Sequence, residues 1–127
     1  MDAEELRKRT KGFAHRCVKL ALALPCNDLA GHVRGQLIRC STSVPSNYRA
    51  ACLAQSKASF VSKLSIVIEE VDETDFWLEF VVDEGLLSQG KVAALLDEAR
   101  ELTAIFVAAR KTTKDRSADL AIGCLEQ

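Results

Sequence analysis

Three carboxylates, Glu69, Glu70 and Glu73, fall within about one helical turn of one another, a spacing that could hold a metal or bury an ion pair. A di-iron carboxylate bundle uses such residues but needs Glu-x-x-His pairs from two helices. Here the residue three beyond Glu70 is Glu73, and His15 and His32 stand elsewhere with no carboxylate at ligand spacing. The structural reading is favoured: acids on the buried side of a helix need cations, because isolated buried charge is prohibitive. Arg49, on the preceding helix, is the natural partner for Glu73 or Glu69, with Arg39 second. No Ser-His-Asp arrangement, glycine-rich phosphate loop or HExxH motif occurs. We therefore expect no enzyme: no catalytic residue, no metal ligand and no cofactor.

A second set of residues could do electrostatic work. Arg7, Lys8, Lys11, Arg16, Lys19 and Arg34 give the first part of the chain a positive balance that phosphates could meet. A third set is aromatic. Phe76, Trp77 and Phe80 crowd one short stretch, as a subunit contact would; Tyr48 and Trp77 read first as core or inter-helix packing, with an interface or a stacking platform as the alternative.

These residues must be positioned by helices. From about Ser56 to Leu87 no Gly or Pro interrupts the chain until Gly85. Phe60, Leu64, Val67, Val71, Leu78 and Val81 keep a three-four spacing, while Ile66, Trp77 and Phe80 point elsewhere. A helix apolar on more than one side is contacted on more than one side. Before it, a first helix is expected from Ala3 to Leu24, with Leu6, Phe13, Cys17, Leu20 and Leu24 as its apolar stripe, closed by Pro25. Asn27 or Asp28 then caps a second helix, buried through Leu29, Val33, Leu37, Cys40, Val44, Tyr48 and Ala51. Pro45 is expected to kink that helix without ending it, with hydroxyls of Ser41, Thr42 and Ser43 available to the freed carbonyls. Gly85 and Ser88-Gln89-Gly90 turn the chain into a fourth helix, from Lys91 to Lys111. It buries Val92, Leu95, Leu96, Ala99, Leu102, Phe106 and Ala109, and its Asp97, Glu98, Arg100, Glu101 and Arg110 read as a solvated face.

The expected fold is all-α: an antiparallel up-down-up-down four-helix bundle over residues 1–111, followed by a flexible tail over 112–127 in which Leu120, Ile122 and Leu125 could dock on a neighbour. At 127 residues this is one domain, 48% apolar and 28% charged, with net charge −1. The charge is uneven. Residues 1–24 carry six Lys/Arg against three acids, and 56–86 carry two against eight. A global basic signature for nucleic acid is absent, and only a local one remains. No apolar run is long enough for a membrane span and no signal-like segment opens the chain, so a cytoplasmic protein without membrane partners is expected. The five cysteines are odd in number and form no CxxC pair, which favours buried free thiols.

The segment SVPSNYRAACLAQSKASFVSKLSIVIEEVDETDFWLE, Ser43 to Glu79, resembles the four-helix-bundle family that includes the 23S rRNA intervening-sequence proteins. Ser43, Val44, Pro45, Ser46 and Asn47 match its Ser-Ile-Pro-Ala-Asn-like motif. Phe60 and Leu64 match the turn and helix that follow, and Glu73 falls where the family carries its helix-three acid. The resemblance runs from about Val33 to Lys111. It implies a homopentamer with no assigned activity, and kinship to the accessory protein of diversity-generating retroelements, a basic pentamer that engages nucleic acid. Two features depart: Ala50-Ala51 replaces a Glu-Gly pair, and the net charge is slightly negative. The function expected is a non-enzymatic homo-oligomer that binds RNA or DNA weakly and without sequence preference. The alternative is an oligomeric scaffold for a protein partner.

Overall fold

The computed structural model describes residues 1–126, with side chains through Arg116. Four helices follow one another: α1 (Ala3–Leu22), α2 (Asp28–Cys52), α3 (Lys57–Asp83) and α4 (Gln89–Glu126). Links this short return each helix antiparallel to the last. Each helix packs on its neighbours in sequence and α1 also meets α4, while across the diagonal Tyr48 of α2 packs on Phe106 of α4 with ring centroids 5.2 Å apart. This is the expected up-down bundle.

The starts of α1, α2 and α3 are each capped by a side chain that accepts a backbone N–H left free by the first turn. Asp2 accepts from Glu5 at 2.8 Å, Asn27 from Ala30 at 2.8 Å and Ser56 from Ser59 at 3.0 Å. The end of α3 is fixed by Gly85, whose φ of 67° a side chain would strain. Leu86 N–H then reaches back to the Val81 carbonyl at 2.9 Å and Gly85 N–H to that of Val82 at 3.0 Å.

The core follows the expected stripes with small corrections. Phe13, Leu37, Leu64, Leu78, Leu102 and Phe106 are fully buried among valines from α2, α3 and α4. On α2, Ala30 is buried while Leu29 is 40% exposed, so the stripe begins one residue later. α1 ends at Leu22, with Leu24 still buried in the link. α4 starts two residues early and continues through the segment expected to fray, as far as Glu126. Docking by Leu120, Ile122 and Leu125 concerns side chains outside the described residues.

α2 runs without interruption through Pro45. The nearby hydroxyls do not serve the carbonyl that the proline frees, that of Ser41. Thr42 donates to Ile38 and Arg39 carbonyls, Ser43 to that of Arg39, and the buried Ser41 Oγ has no partner. A side chain on a helix reaches back three or four residues to a carbonyl. The hydroxyls of Thr42 and Ser43 therefore bond carbonyls upstream of the one the proline orphans.

One polar contact in the core sets the register of α2 against α3. Thr74 Oγ1 donates to the Glu70 carbonyl at 2.8 Å and lies 3.2 Å from Cys40 Sγ. Burial pushes the Cys40 thiol up to about 11 and that of Cys17 up to about 12, so both stay protonated and inert.

Candidate functional site

The acids of α3 are held not by Arg49, the first choice, but by Arg39, the second, and by Arg100. Arg39 hydrogen-bonds Glu73 and lies 3.6 Å from Glu70, while Glu69 is exposed. Arg49 takes no part in this cluster. It stands nine residues beyond Cys40, which faces Thr74. Nine residues are two and a half turns, so Arg49 lies about 13 Å along the helix from that level and on its opposite side. The face of α4 expected to be solvated is exposed at Asp97, Arg100 and Glu101, and its arginines also reach α3. Arg100 lies 3.4 Å from Asp75 and 3.0 Å from Glu79. Arg110 donates to Ser65 Oγ at 3.3 Å.

Arg9, a residue that the sequence pattern did not single out, closes α1 on α4. Its Nε and Nη2 donate to both Glu98 oxygens at 2.9 and 2.6 Å, and Nη2 also reaches Glu101 at 2.7 Å. The signal was faint: Arg9 lies one position before Thr10, a polar residue that the structure buries.

These carboxylates respond to pH in opposite directions. Burial pushes the Glu70 carboxyl above its ordinary value, only partly opposed by Arg39. The hydrogen bond from Arg9 outweighs burial at Glu98 and holds that carboxyl below its ordinary value. Glu70 thus binds its proton more tightly folded than unfolded, and its ionisation as pH rises costs stability. The stabilisation from Glu98 is present above the unfolded value and is lost as pH falls through the lower folded one. Thermal melts between about pH 3 and pH 7 should show Glu70→Gln gaining on the wild type as pH rises and Glu98→Gln falling behind it. Curves parallel to the wild type for both variants would contradict these assignments.

The six expected phosphate contacts do not share one face. Arg7 and Lys11 line a groove of about 340 Å³ between α1 and α2, completed by Thr42, Pro45, Ser46 and Arg49. Arg16 and Lys19 lie on the other flank of α1, in a groove of about 330 Å³ against α4, with Lys91 and a floor that includes Leu20, Leu87 and Leu95. Lys8 lies 3.6 Å from Glu4 on its own helix. Arg34 is a structural cap: it donates to the carbonyls of Ala21 at 3.1 Å, Leu24 at 3.0 Å and Pro25 at 3.0 Å. Among the described residues Arg7, Lys11, Arg16, Lys19 and Arg49 form no ion pair. Arg49, misassigned to the acids, belongs with the first groove. Its spacing from Thr42 and Ser46, seven and three residues, was the available clue.

The aromatic residues do come together. Phe76 stacks on Phe80 at 6.0 Å and meets Trp77 edge-on at 5.0 Å, while His32 of α2 stands edge-on to Trp77 at 5.6 Å. Phe76 is 54% exposed, and the buried Trp77 Nε1 has no acceptor among the described residues. No group of three or more His, Cys, Asp or Glu among the described residues could hold a metal ion. No helix there is long and apolar enough to cross a membrane.

A family model described as 23S rRNA-intervening sequence protein matches residues 4–108. No curated protein matches the chain. Among solved structures, a protein of unknown function from the S23 ribosomal protein family of Bacteroides thetaiotaomicron superposes with a TM-score of 0.81 at 27% identity. The match covers 87% of this chain and 99% of that one.

Proposed function

The chain belongs to the 23S rRNA-intervening sequence protein family, and from that premise we propose a non-enzymatic homo-oligomer, five-fold as the family resemblance implies, that binds RNA or DNA weakly through phosphates. The observation that carries the binding half is the separation of charge. Four of the seven acids of α3 are engaged by Arg39 and Arg100, whereas Arg7, Lys11, Arg16 and Lys19 of α1 stay exposed and unpaired among the described residues. A net charge of −1 therefore hides a positive outer helix, and ring symmetry repeats that helix around one axis. The assembly half is supported by the Phe76–Trp77–Phe80 patch and the unanswered indole N–H, since a buried donor ordinarily finds an acceptor.

Size exclusion with light scattering, run with and without a single-stranded RNA of about 20 nucleotides, tests both halves. The protein alone should weigh close to five times its 13.9 kDa. RNA should co-elute at low salt and separate as salt rises, because bound phosphates release counterions. A mass of 13.9 kDa would remove the assembly. An oligomer that never retains RNA would leave a scaffold for a protein partner.

A further inference from the structure

We propose that the groove lined by Arg7, Lys11, Thr42, Pro45, Ser46 and Arg49 is a phosphoryl-oxyanion site, a reading that rests on the phosphate binding proposed above and gives it an address. Each wall comes from one helix. Arg7 and Lys11 are one turn apart on α1, and Thr42, Pro45, Ser46 and Arg49 follow a three-one-three spacing along one side of α2. Three cations therefore line one concavity with no carboxylate in its wall, an arrangement of like charges that an anion relieves.

The uncharged lining narrows the choice of anion. The Thr42 hydroxyl is committed to the Ile38 carbonyl at 2.6 Å, so what it adds to the groove is its methyl group, beside the Pro45 ring. The Ser46 hydroxyl holds the Ser43 carbonyl only at 3.4 Å and can turn to a better acceptor. Pro45 brings no backbone N–H to compete. The result is two guanidinium groups, one ammonium and one loosely held hydroxyl around a small apolar floor. That chemistry suits a phosphoryl group with its sugar, and 340 Å³ is roomy enough for both. The groove between α1 and α4 has as many cations, but its floor is leucine and alanine and no hydroxyl lines it. The first groove is the better match to phosphate.

A phosphodiester strand and a free phosphate share this chemistry, and binding assays on the full chain separate them. The probes are a 20-nucleotide oligouridylate and inorganic pyrophosphate. The variants are Arg49→Ala, Ser46→Ala and, as a control on an exposed cation outside both grooves, Lys111→Ala. Arg49→Ala should weaken oligouridylate about tenfold and lower the slope of log affinity against log salt by about 0.7, the loss of one phosphate contact on a single strand. Ser46→Ala should weaken it by a few-fold with the slope unchanged, and Lys111→Ala should match the wild type. Oligouridylate bound equally by wild type and Arg49→Ala, with equal slopes, would overturn the site and leave the nucleic-acid reading intact. If pyrophosphate shifts the amide resonances of Ser46 and Arg49 while oligouridylate does not bind, the site stands as one for free phosphate and the nucleic-acid reading falls. Binding of neither probe would overturn both.

Discussion

Arg34→Ala is expected to cost the bundle about 2–4 kcal/mol and to leave RNA affinity per folded molecule unchanged. The last carbonyls of a helix have no partner within it. At the end of α1 a single guanidinium from α2 answers three acceptors, those of Ala21, Leu24 and Pro25, and so ties the first link to the second helix. A hydrogen bond from a charged donor contributes about 1.5–3 kcal/mol. The three are not additive, and the Pro25 contact is exposed and can pass to water. Arg34→Lys should recover only part of the loss, since an ammonium lacks the planar fork that spans several carbonyls. Thermal melts of the two variants beside an RNA titration at fixed salt check this. A wild-type melting point combined with lost RNA affinity would make Arg34 a phosphate contact after all.

Phe76→Glu is expected to bring the mass in solution down to that of the single chain while the helical content stays intact. Phe76 is more than half exposed and stacks only on the rim of the bundle, so the charge has water to face in the monomer. Between subunits the same carboxylate would have to be buried against aromatic rings, which costs far more than an interface of ordinary size can absorb. Trp77 is the one tryptophan of the chain and lies 5.0 Å from Phe76. Its emission should therefore shift to the red as the patch becomes wet. Unchanged mass and unchanged emission would mean that the subunits meet elsewhere.

The fold was largely legible because burial leaves a periodic mark. The stripe from Leu64 to Val81, the caps at Asn27 and Ser56 and the break at Gly85 each follow from one residue or one spacing. The charged contacts were not legible, because they depend on register between helices. The sequence ranks Arg49 ahead of Arg39 as the partner of Glu73, but the antiparallel register that brings Thr74 to Cys40 puts Arg39 opposite that acid. Arg34 was misread for a related reason: a cation near the start of α2 looks like surface charge until the end of α1 is folded against it. The extent of α4 was hidden differently. Lys111, Thr112, Lys114, Asp115 and Arg116 are exposed, so the apolar pattern stops while the helix does not. In the candidate site, the i and i+4 cations of α1 could be read from spacing, but their meeting with Ser46 and Arg49 could not.

The Arg9 clasp has a consequence for the order in which the molecule is made. Every other seam joins helices that are consecutive in the chain, whereas this one joins residues 89 and 92 positions apart. During synthesis α1, α2 and α3 can pair as each emerges. The fourth seam waits until Glu98 and Glu101 have left the ribosome, and until then the α4-facing flanks of α1 and α3 lie open to other chains. Phe76 and Trp77 are translated before α4 begins, so the aromatic patch proposed as the subunit contact is complete while the bundle is still unclosed. Neighbouring nascent chains on one messenger can thus meet through the aromatic patch and through the unfinished seam alike. Closure of the Arg9 clasp removes the second of these contacts.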